Sequence, residues 1–437
     1  METIGYGAFS ASLQRRPSAH QLPLNGTIEV TRRCPLTCVH CYNNLPMSDK
    51  DARIRELTYE EHCRILDELA EEGCFWLLYT GGDILARRDF LDIYTYAKTK
   101  GFLITLFTNG TLITPRVADY LAEWRPFSIE ITLYGRTKQT YERLTGIPGS
   151  HEKCLRGIHL LLERGLPLKL KTVAVTVNQH EVWDMQRFAE EELGVPFKFD
   201  SMMNPRIDCS QSPLAVRLGP EQVVAIDIQD SRRMDEWQLF ADKYFRPANP
   251  PERSDEVYHC GGGVNSFAID PYGGMSICVL SEVDKFDLRT GSVREGWGSF
   301  LRQVRKKKIT RITKCISCVL KEMCGMCPAN GELEMGDPES PVDFLCRVAH
   351  LRAYTFGLPV APHGDCEYCE GGVGYDELMR SVASLRQLRP GEKLVSDALS
   401  PSKGQPGRAF LPVVGTELGA QGGGCSSGGC SSCSGHH

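Results

Sequence analysis

Residues 26–201 alternate short apolar runs with longer amphipathic stretches, and this alternation is the strongest pattern in the chain. Strands are predicted at Thr27–Val30, Phe75–Tyr79, Leu103–Phe107, Ser128–Leu133, Leu168–Val177 and Phe197–Ser201. Helices are predicted at Thr58–Glu72, Arg88–Lys100, Pro115–Trp124, Glu152–Arg164 and Glu181–Glu192. Thr58 with Glu61 three places later is a capping box for the first of these helices. The repeated order predicts an α/β fold, a parallel sheet of about six units closed into a full or partial barrel.

The pattern changes after the sixth unit. Short apolar segments between paired cysteines are too irregular to build a large core unless bound metal stabilises them. One more helix is predicted at Gln222–Asp230 and another at Asp376–Gln387. The predicted units are an N-terminal extension (1–25), the barrel (26–205), a bridge (206–259), a cysteine-rich domain (260–350), a helical segment (351–394) and a disordered Gly/Ser-rich tail (395–437).

Charge and cysteine usage narrow the function classes. The 437 residues carry 50 Lys+Arg and 55 Asp+Glu, a net charge of −5, so a nucleic-acid partner is not expected. No run reaches the roughly 18 apolar residues of a membrane span, and no export signal is visible, so a cytoplasmic protein without a membrane partner is expected. The 19 cysteines therefore indicate reduced, metal-binding thiolates rather than disulfides.

Cys34, Cys38 and Cys41 lie within eight residues, on the loop after the first strand. A structural zinc site normally takes four protein ligands, so three cysteines leave one coordination position open. Iron–sulfur clusters are held by thiolates, and barrel chemistry occurs at the carboxyl ends of the strands. The spacing therefore favours an iron–sulfur site, with a zinc knuckle as the alternative.

This C-x3-C-x2-C spacing, with Tyr42 just beyond it, resembles the motif of the radical S-adenosylmethionine (SAM) enzymes. The resemblance implies a partial (β/α)6 TIM-type barrel and a [4Fe-4S] cluster on Cys34, Cys38 and Cys41. It also implies that SAM chelates the fourth iron and is cleaved reductively to a 5′-deoxyadenosyl radical, which abstracts hydrogen from a substrate.

Further cofactor contacts are implied at later strand ends. Gly81, Gly82 and Asp83 stand where the family usually has GGE, and Asn109 lies in a TNG sequence. Thr132 replaces the commoner Ser near the expected ribose position. Asn178 ends the next strand and is either a contact to SAM or substrate or a turn former.

The second cysteine region resembles the SPASM domain, a loop-rich iron–sulfur domain of peptide- and sulfatase-maturing radical SAM enzymes. Its cysteines are Cys260, Cys278, Cys315, Cys318, Cys324, Cys327 and Cys346. The resemblance implies two auxiliary clusters, one on Cys260, Cys278 and Cys327 and the other on Cys315, Cys318, Cys324 and Cys346. His259, an exogenous ligand or an open iron could complete the first set, and a zinc ribbon is the alternative for the two C-x2-C pairs.

Other cysteines carry weaker signals. Cys366 and Cys369, with His363 nearby, are either metal ligands or a solvated thiol pair. The tail cysteines Cys425, Cys430 and Cys433 could bind metal, scavenge it during cluster assembly or mimic a peptide substrate. The basic run at residues 305–308 is either a solvated face or a docking surface for an acidic flavodoxin or ferredoxin.

The resemblance implies a substrate class but no single substrate. We expect modification of a ribosomally made peptide by crosslinking, oxidation or epimerisation, with a separate leader-binding protein because the barrel begins near residue 26. The alternatives are a tetrapyrrole (heme-pathway) decarboxylase, a sulfatase-maturing enzyme and a non-enzymatic iron–sulfur scaffold. Val279 stands where sulfatase-maturing relatives carry an acidic residue, which lowers that alternative.

Overall fold

Six parallel strands form the centre of the fold. The computed structural model describes residues 5–14, 22–244 and 255–389, so the predicted tail with Cys425, Cys430 and Cys433 lies outside the described residues. The six strands are β1 (Asn25–Thr31), β4 (Trp76–Gly81), β5 (Leu103–Thr108), β6 (Ser128–Thr132), β7 (Leu168–Val173) and β8 (Phe197–Asp200). Strands β2 (Arg33–Cys34) and β3 (Leu45–Pro46) follow β1 in the sequence and pair with each other in a separate two-stranded sheet. The predicted partial barrel with six strand–helix units is confirmed.

Helices separate the strands along the chain. The first half contains α1 (Tyr6–Gln14), α2 (Lys50–Arg55), α3 (Tyr59–Glu71), α4 (Phe90–Thr99), α5 (Pro115–Glu123), α6 (Lys138–Thr145), α7 (Ser150–Leu162) and α8 (Val182–Arg187). The second half contains α9 (Pro220–Gln229), α10 (Ser231–Tyr244), α11 (Val293–Glu295), α12 (Arg302–Arg305), α13 (Lys321–Cys324), α14 (Pro328–Met335), α15 (Asp343–Thr355) and α16 (Tyr375–Leu385). Two π-helical segments, Phe188–Glu192 and Gly296–Leu301, continue α8 and join α11 to α12.

Local sequence explains where several helices begin. Thr58 caps α3 by accepting from the backbone N–H of Glu61, and the Glu61 carboxylate accepts from the N–H of Thr58, so the predicted capping box is confirmed. Thr114 caps α5 ahead of Pro115, which suits the first helical turn. The predicted strand Leu168–Val177 is too long, because β7 ends at Val173 and a turn follows.

The sheet continues beyond the six strands. Strand β9 (Ser266–Ile269) pairs in parallel with β1, and β10 (Gly274–Ser276) and β11 (Phe286–Asp287) follow as antiparallel neighbours. The order is β11-β10-β9-β1-β4-β5-β6-β7-β8, so β1 lies inside the sheet. The cysteine-rich region is therefore hydrogen-bonded to the barrel through backbone groups, and the predicted boundary at residue 260 stays a prediction.

A buried ion pair connects the last helices to α9 and α10. Asp227 on α9 accepts from Arg352 on α15 at 2.7 Å and from Arg233 on α10 at 2.7 Å. Asp227 is fully buried, and the guanidinium of Arg352 also lies 3.8 Å from the ring centroid of Trp237. Within the described part of the chain, no helix combines the length and apolarity needed to cross a membrane.

Candidate active site

The loop that carries Cys34, Cys38 and Cys41 is held at both ends. The β2–β3 ladder closes it, and the backbone N–H groups of Thr37 and Val39 donate to carbonyls of Thr145 and Leu144 at the end of α6. Arg206 donates to the carbonyls of Cys41 and Asn44 at 3.1 and 3.0 Å. The loop conformation is therefore fixed by the surrounding protein.

The three thiols lie in an apolar pocket. Cys34 and Cys38 are buried against Leu36, Leu144, Val175 and Met203. Burial raises the pKa of Cys34 to about 12, and the neighbouring Cys41 adds to that rise. Burial likewise raises the pKa of Cys38 well above its ordinary value, with repulsion from Cys41 and Cys34 contributing. Such a group of mutually repelling thiolates is stable only beside a cation.

Asn109 and Asp83 link the strand ends to this loop. The Asn109 amide donates to the Cys34 sulfur at 3.5 Å. The Asp83 carboxylate accepts from the Thr108 hydroxyl at 2.7 Å and from the Asn109 N–H at 2.9 Å. Burial raises the pKa of Asp83 despite these hydrogen bonds. Asp83 therefore joins the end of β4 to the end of β5 and positions Asn109.

Gly81 and Gly82 pack directly on the chain that leads into the cysteine loop. A Cβ at Gly81 would lie 2.0 Å from the carbonyl oxygen of Thr31, and one at Gly82 would lie 2.4 Å from that of Arg32. Gly81 also has a φ of +138°, in the region that favours glycine. These positions therefore require glycine for close packing; their predicted contact with SAM stays a prediction.

Tyr42 and Asn43 both bind Glu29. The Tyr42 hydroxyl donates to the Glu29 carboxylate at 3.0 Å, and the Asn43 amide donates to the same oxygen at 2.6 Å. The Tyr42 hydroxyl thus anchors the loop to β1, while its predicted cofactor contact remains a prediction. Sequence reasoning missed Glu29 and Asn43, although a Glu inside an apolar strand was a visible signal.

Tyr134 packs against the cysteine cluster, and the ring of His40, which was not assigned from the sequence, lies beside Tyr134. Their rings are 5.3 Å apart, and the Tyr134 hydroxyl donates to the thiol of Cys38. The Nδ1 of His40 is buried without a hydrogen-bond partner among the described residues. Burial lowers the pKa of His40 to about 4, so its ring is neutral near pH 7. A buried nitrogen without a partner in the cysteine loop indicates a missing polar partner at this place.

Two further predicted positions have different surroundings. Thr132 lies half-buried at the carboxyl end of β6, the edge that carries the other candidates. Asn178 is fully buried, and its side chain bonds Val175, Tyr134 and Val173. The amide of Asn178 is thus used within the protein, which favours the turn-forming interpretation.

A charged cluster connects the last barrel strands. Glu130 on β6 lies 3.3 Å from the Nζ of Lys171 on β7 and 2.9 Å from that of Lys198 on β8. Lys171 is largely buried and its ammonium lies over the ring of Phe107. Burial lowers the pKa of Lys171 to about 7. The pairing was not predicted, because it depends on the register of three strands.

The C-terminal cysteines form two groups. Burial raises the pKa of Cys327, and repulsion from Cys278 and Cys260 contributes, so these three thiols are neighbours. Cys260 is exposed. A second group surrounds a small cavity of about 20 Å3. Its sulfur-bearing lining residues are Cys315, Cys318, Cys324, Met326 and Cys346, and Lys314, His350 and His363 complete its polar wall.

The basic run at residues 305–308 is partly neutralised. Lys307 pairs with Asp284 at 2.7 Å and Lys308 with Asp255 at 2.6 Å. Both lysines remain exposed, so the expected docking surface for an acidic reductant is less positive than its sequence indicates.

Comparison with known proteins identifies the first region. Residues 28–189 match the radical SAM superfamily. This region of the chain is a radical SAM domain. The residues that match this superfamily include the three-cysteine loop and the strand ends around it.

Similar proteins cover most of the chain. The AdoMet-dependent heme synthase of Methanosarcina barkeri is 26% identical over 326 residues, 71% of this chain and 92% of that protein. The PqqA peptide cyclase of Rhodopseudomonas palustris is 26% identical over 348 residues, 77% of this chain and 89% of that protein. The structure of Streptococcus suis SuiB bound to precursor peptide SuiA aligns with a TM-score of 0.57 at 16% identity, covering 78% of this chain and 80% of SuiB.

The residues around the three-cysteine loop fit the two cofactors of a radical SAM domain. A radical SAM domain binds a [4Fe-4S] cluster and SAM. The three thiols of the loop would hold three irons of such a cluster and leave the fourth iron open for SAM. The mutual repulsion of the thiols would be relieved by iron, and the unpartnered Nδ1 of His40 in the same loop offers a further polar contact.

Proposed function

We propose that this radical SAM enzyme modifies a ribosomally made peptide. When bound, the cluster and SAM supply a radical that removes hydrogen from the substrate. The chain holds the thiols through Asn109 and Tyr134 and surrounds them with apolar side chains that exclude water. Peptide substrates are supported by the resemblance to PqqA peptide cyclase and to peptide-bound SuiB.

The exposure of Cys260 is the observation that carries this proposal. Cys260, Cys278 and Cys327 would hold a first auxiliary cluster with three thiols, leaving an iron open at the surface. A cysteine or backbone atom of a peptide could reach such an iron. Cys315, Cys318, Cys324 and Cys346 would hold a second auxiliary cluster in the cavity that they line. A leader-binding protein and a flavodoxin or ferredoxin reductant complete the proposal.

The test uses anaerobically reconstituted full-length protein with SAM, dithionite and short cysteine-containing peptides encoded beside its gene. We expect 5′-deoxyadenosine and a peptide mass lowered by about 2 Da per crosslink or oxidation, since each removes two hydrogens. Epimerisation would instead add deuterium from solvent D2O. SAM cleavage without any change in these peptides would contradict the proposal.

Tetrapyrrole decarboxylation is the second candidate, because the heme synthase relatives match along nearly their whole length. The same reconstituted protein would then be given iron coproporphyrin III in place of a peptide. Loss of CO2 from its propionate groups would favour this candidate. An intact porphyrin together with a modified peptide would exclude it.

A further inference from the structure

Four metal-binding side chains that are not among the seven cysteines discussed above meet beside Cys346, whose sulfur lies 3.8 Å from the Nδ1 of His350. They are His350 on α15 and His363, Cys366 and Cys369 on the loop that precedes α16. One ligand atom from each lies within 4.8 Å of all the others. All four residues are buried, with exposed fractions of 1–6%. Burial of two thiols and two imidazoles together is costly unless they share a partner.

The distances fit a single tetrahedral ion. The Nε2 of His350 lies 3.4 Å from the sulfur of Cys366 and 3.6 Å from that of Cys369. The Nδ1 of His363 lies 3.3 Å from the sulfur of Cys369. Zn–S and Zn–N bonds of about 2.3 and 2.0–2.1 Å at a tetrahedral angle separate sulfur from nitrogen by about 3.6 Å. The four-atom group is thus already close to the dimensions of a zinc site.

The orientation of His350 supports this assignment. Its Nδ1 lies 2.8 Å from the carbonyl oxygen of Cys346. A ring N–H bonded to a carbonyl leaves the other nitrogen, Nε2, with a free lone pair, and Nε2 is the atom that faces both sulfurs. Zinc-binding histidines commonly have this backbone partner.

The loop presents its ligands on tight turns. The N–H of Cys366 donates to the carbonyl of His363, and the N–H of Gly372 donates to that of Cys369. A Cβ at Gly372 would lie 2.6 Å from the carbonyl oxygen of Cys366, so the turn requires glycine. A compact Cys-x2-Cys turn with a nearby histidine is typical of structural zinc sites.

We propose that His350, His363, Cys366 and Cys369 bind one zinc ion. A four-iron cluster bonds each cysteine to a different iron and spaces its ligands more widely, so the close packing here favours a single ion. The ion joins α15 to the loop before α16. His350 and His363 also line the cavity of the second cysteine group, so zinc fixes one wall of that cavity. This proposal does not depend on the substrate of the enzyme.

The first experiment measures metal in the unaltered full-length protein, expressed with iron and zinc both supplied and purified without oxygen. We expect about one zinc per chain after iron–sulfur reconstitution. X-ray absorption at the zinc edge should show two sulfur ligands at about 2.3 Å and two nitrogen ligands at about 2.0 Å. A protein without zinc, or zinc with four sulfur ligands, would overturn the proposal. This measurement needs no variant, so it holds even if the substituted proteins do not fold.

Variants then locate the ion. Cys369→Ser should lose the zinc and keep the barrel iron and SAM cleavage, because Cys369 lies outside the barrel loop and is not among the proposed cluster ligands. Cys63→Ser, which alters a half-buried thiol on α3, is the matched control and should keep the zinc. Zinc retained in both Cys366→Ser and Cys369→Ser would overturn the assignment, as would a loss of iron in place of zinc.

Discussion

The barrel loop and the C-terminal region both gather several thiols, but they hold them by different means. Around the barrel loop, a β ladder, the carbonyls at the end of α6 and the guanidinium of Arg206 fix the backbone. Around the C-terminal cavity the elements are short, and α13 has only four residues. The first site is rigid before metal arrives. We expect the second to depend on metal and on a few buried polar contacts for its shape.

Removal of one barrel thiol should give the largest effect and should leave the C-terminal region intact. Cys38→Ala removes one of three iron ligands, so we expect complete loss of 5′-deoxyadenosine formation and about four fewer irons per chain. Cys63→Ala serves as the control and should retain activity. Unchanged SAM cleavage by Cys38→Ala would exclude the barrel loop as the active site.

Breaking the buried ion pair should loosen the C-terminal half. Asp227→Asn leaves Arg352 and Arg233 without their carboxylate, and such losses cost about 3–5 kcal/mol. Urea unfolding followed by tryptophan fluorescence would measure this, since Trp237 lies against Arg352. Lys138→Met breaks an exposed pair with Glu152 and should cause no measurable change. Equal stability of the two variants would contradict the role given to Asp227.

Metal removal tests the comparison directly. In chelator-treated protein, amide hydrogens of α13, α14 and α15 should lose at least about 2.7 kcal/mol of protection, the value for a metal held at 100 times its Kd. Amides of β4 and β5 should stay protected, because apolar packing supports them. Equal loss in both regions would show that the barrel also depends on metal.

Asn109→Ala should weaken the barrel site without emptying it. The variant loses the amide bond to Cys34, and such supporting contacts are worth about 10–100-fold in metal affinity. The rate of iron loss to a chelator should rise for the barrel cluster only. Asn25→Ala is the matched control, because its amide bonds only a backbone carbonyl. Faster loss from the C-terminal clusters would indicate a general effect on stability.

The smallest expected effect is a pH dependence in the barrel. Burial holds the pKa of Lys171 at about 7, below its ordinary value of 10.5. Between these values the unfolded chain binds more protons than the folded one, so stability should rise with pH by at most about 1.4 kcal/mol per unit. Lys171→Met should remove this slope when unfolding free energies at pH 7 and pH 9 are compared. An unaltered slope would place its cause elsewhere.

Local patterns predicted much of the barrel. The capping box of Thr58 and Glu61 and the apolar runs of six strands depend on residues close in sequence, and all were found. The short helix α6 and the long helix α15 were missed, since the first has eight residues and the second follows a cysteine-rich stretch. Side-chain partners such as Glu29 for Tyr42 depend on distant contacts that a sequence pattern does not contain.

The pairing of β9 with β1 limits how the protein can be divided. A fragment that ends before residue 260 would lack β9 and would expose the N–H and C=O groups along one side of β1. An uncovered central strand is a template for intermolecular pairing, so such a fragment should aggregate although its helices and six parallel strands are complete. We therefore expect that the barrel is not a separable module, because one side of β1 is covered by sequence more than 200 residues downstream.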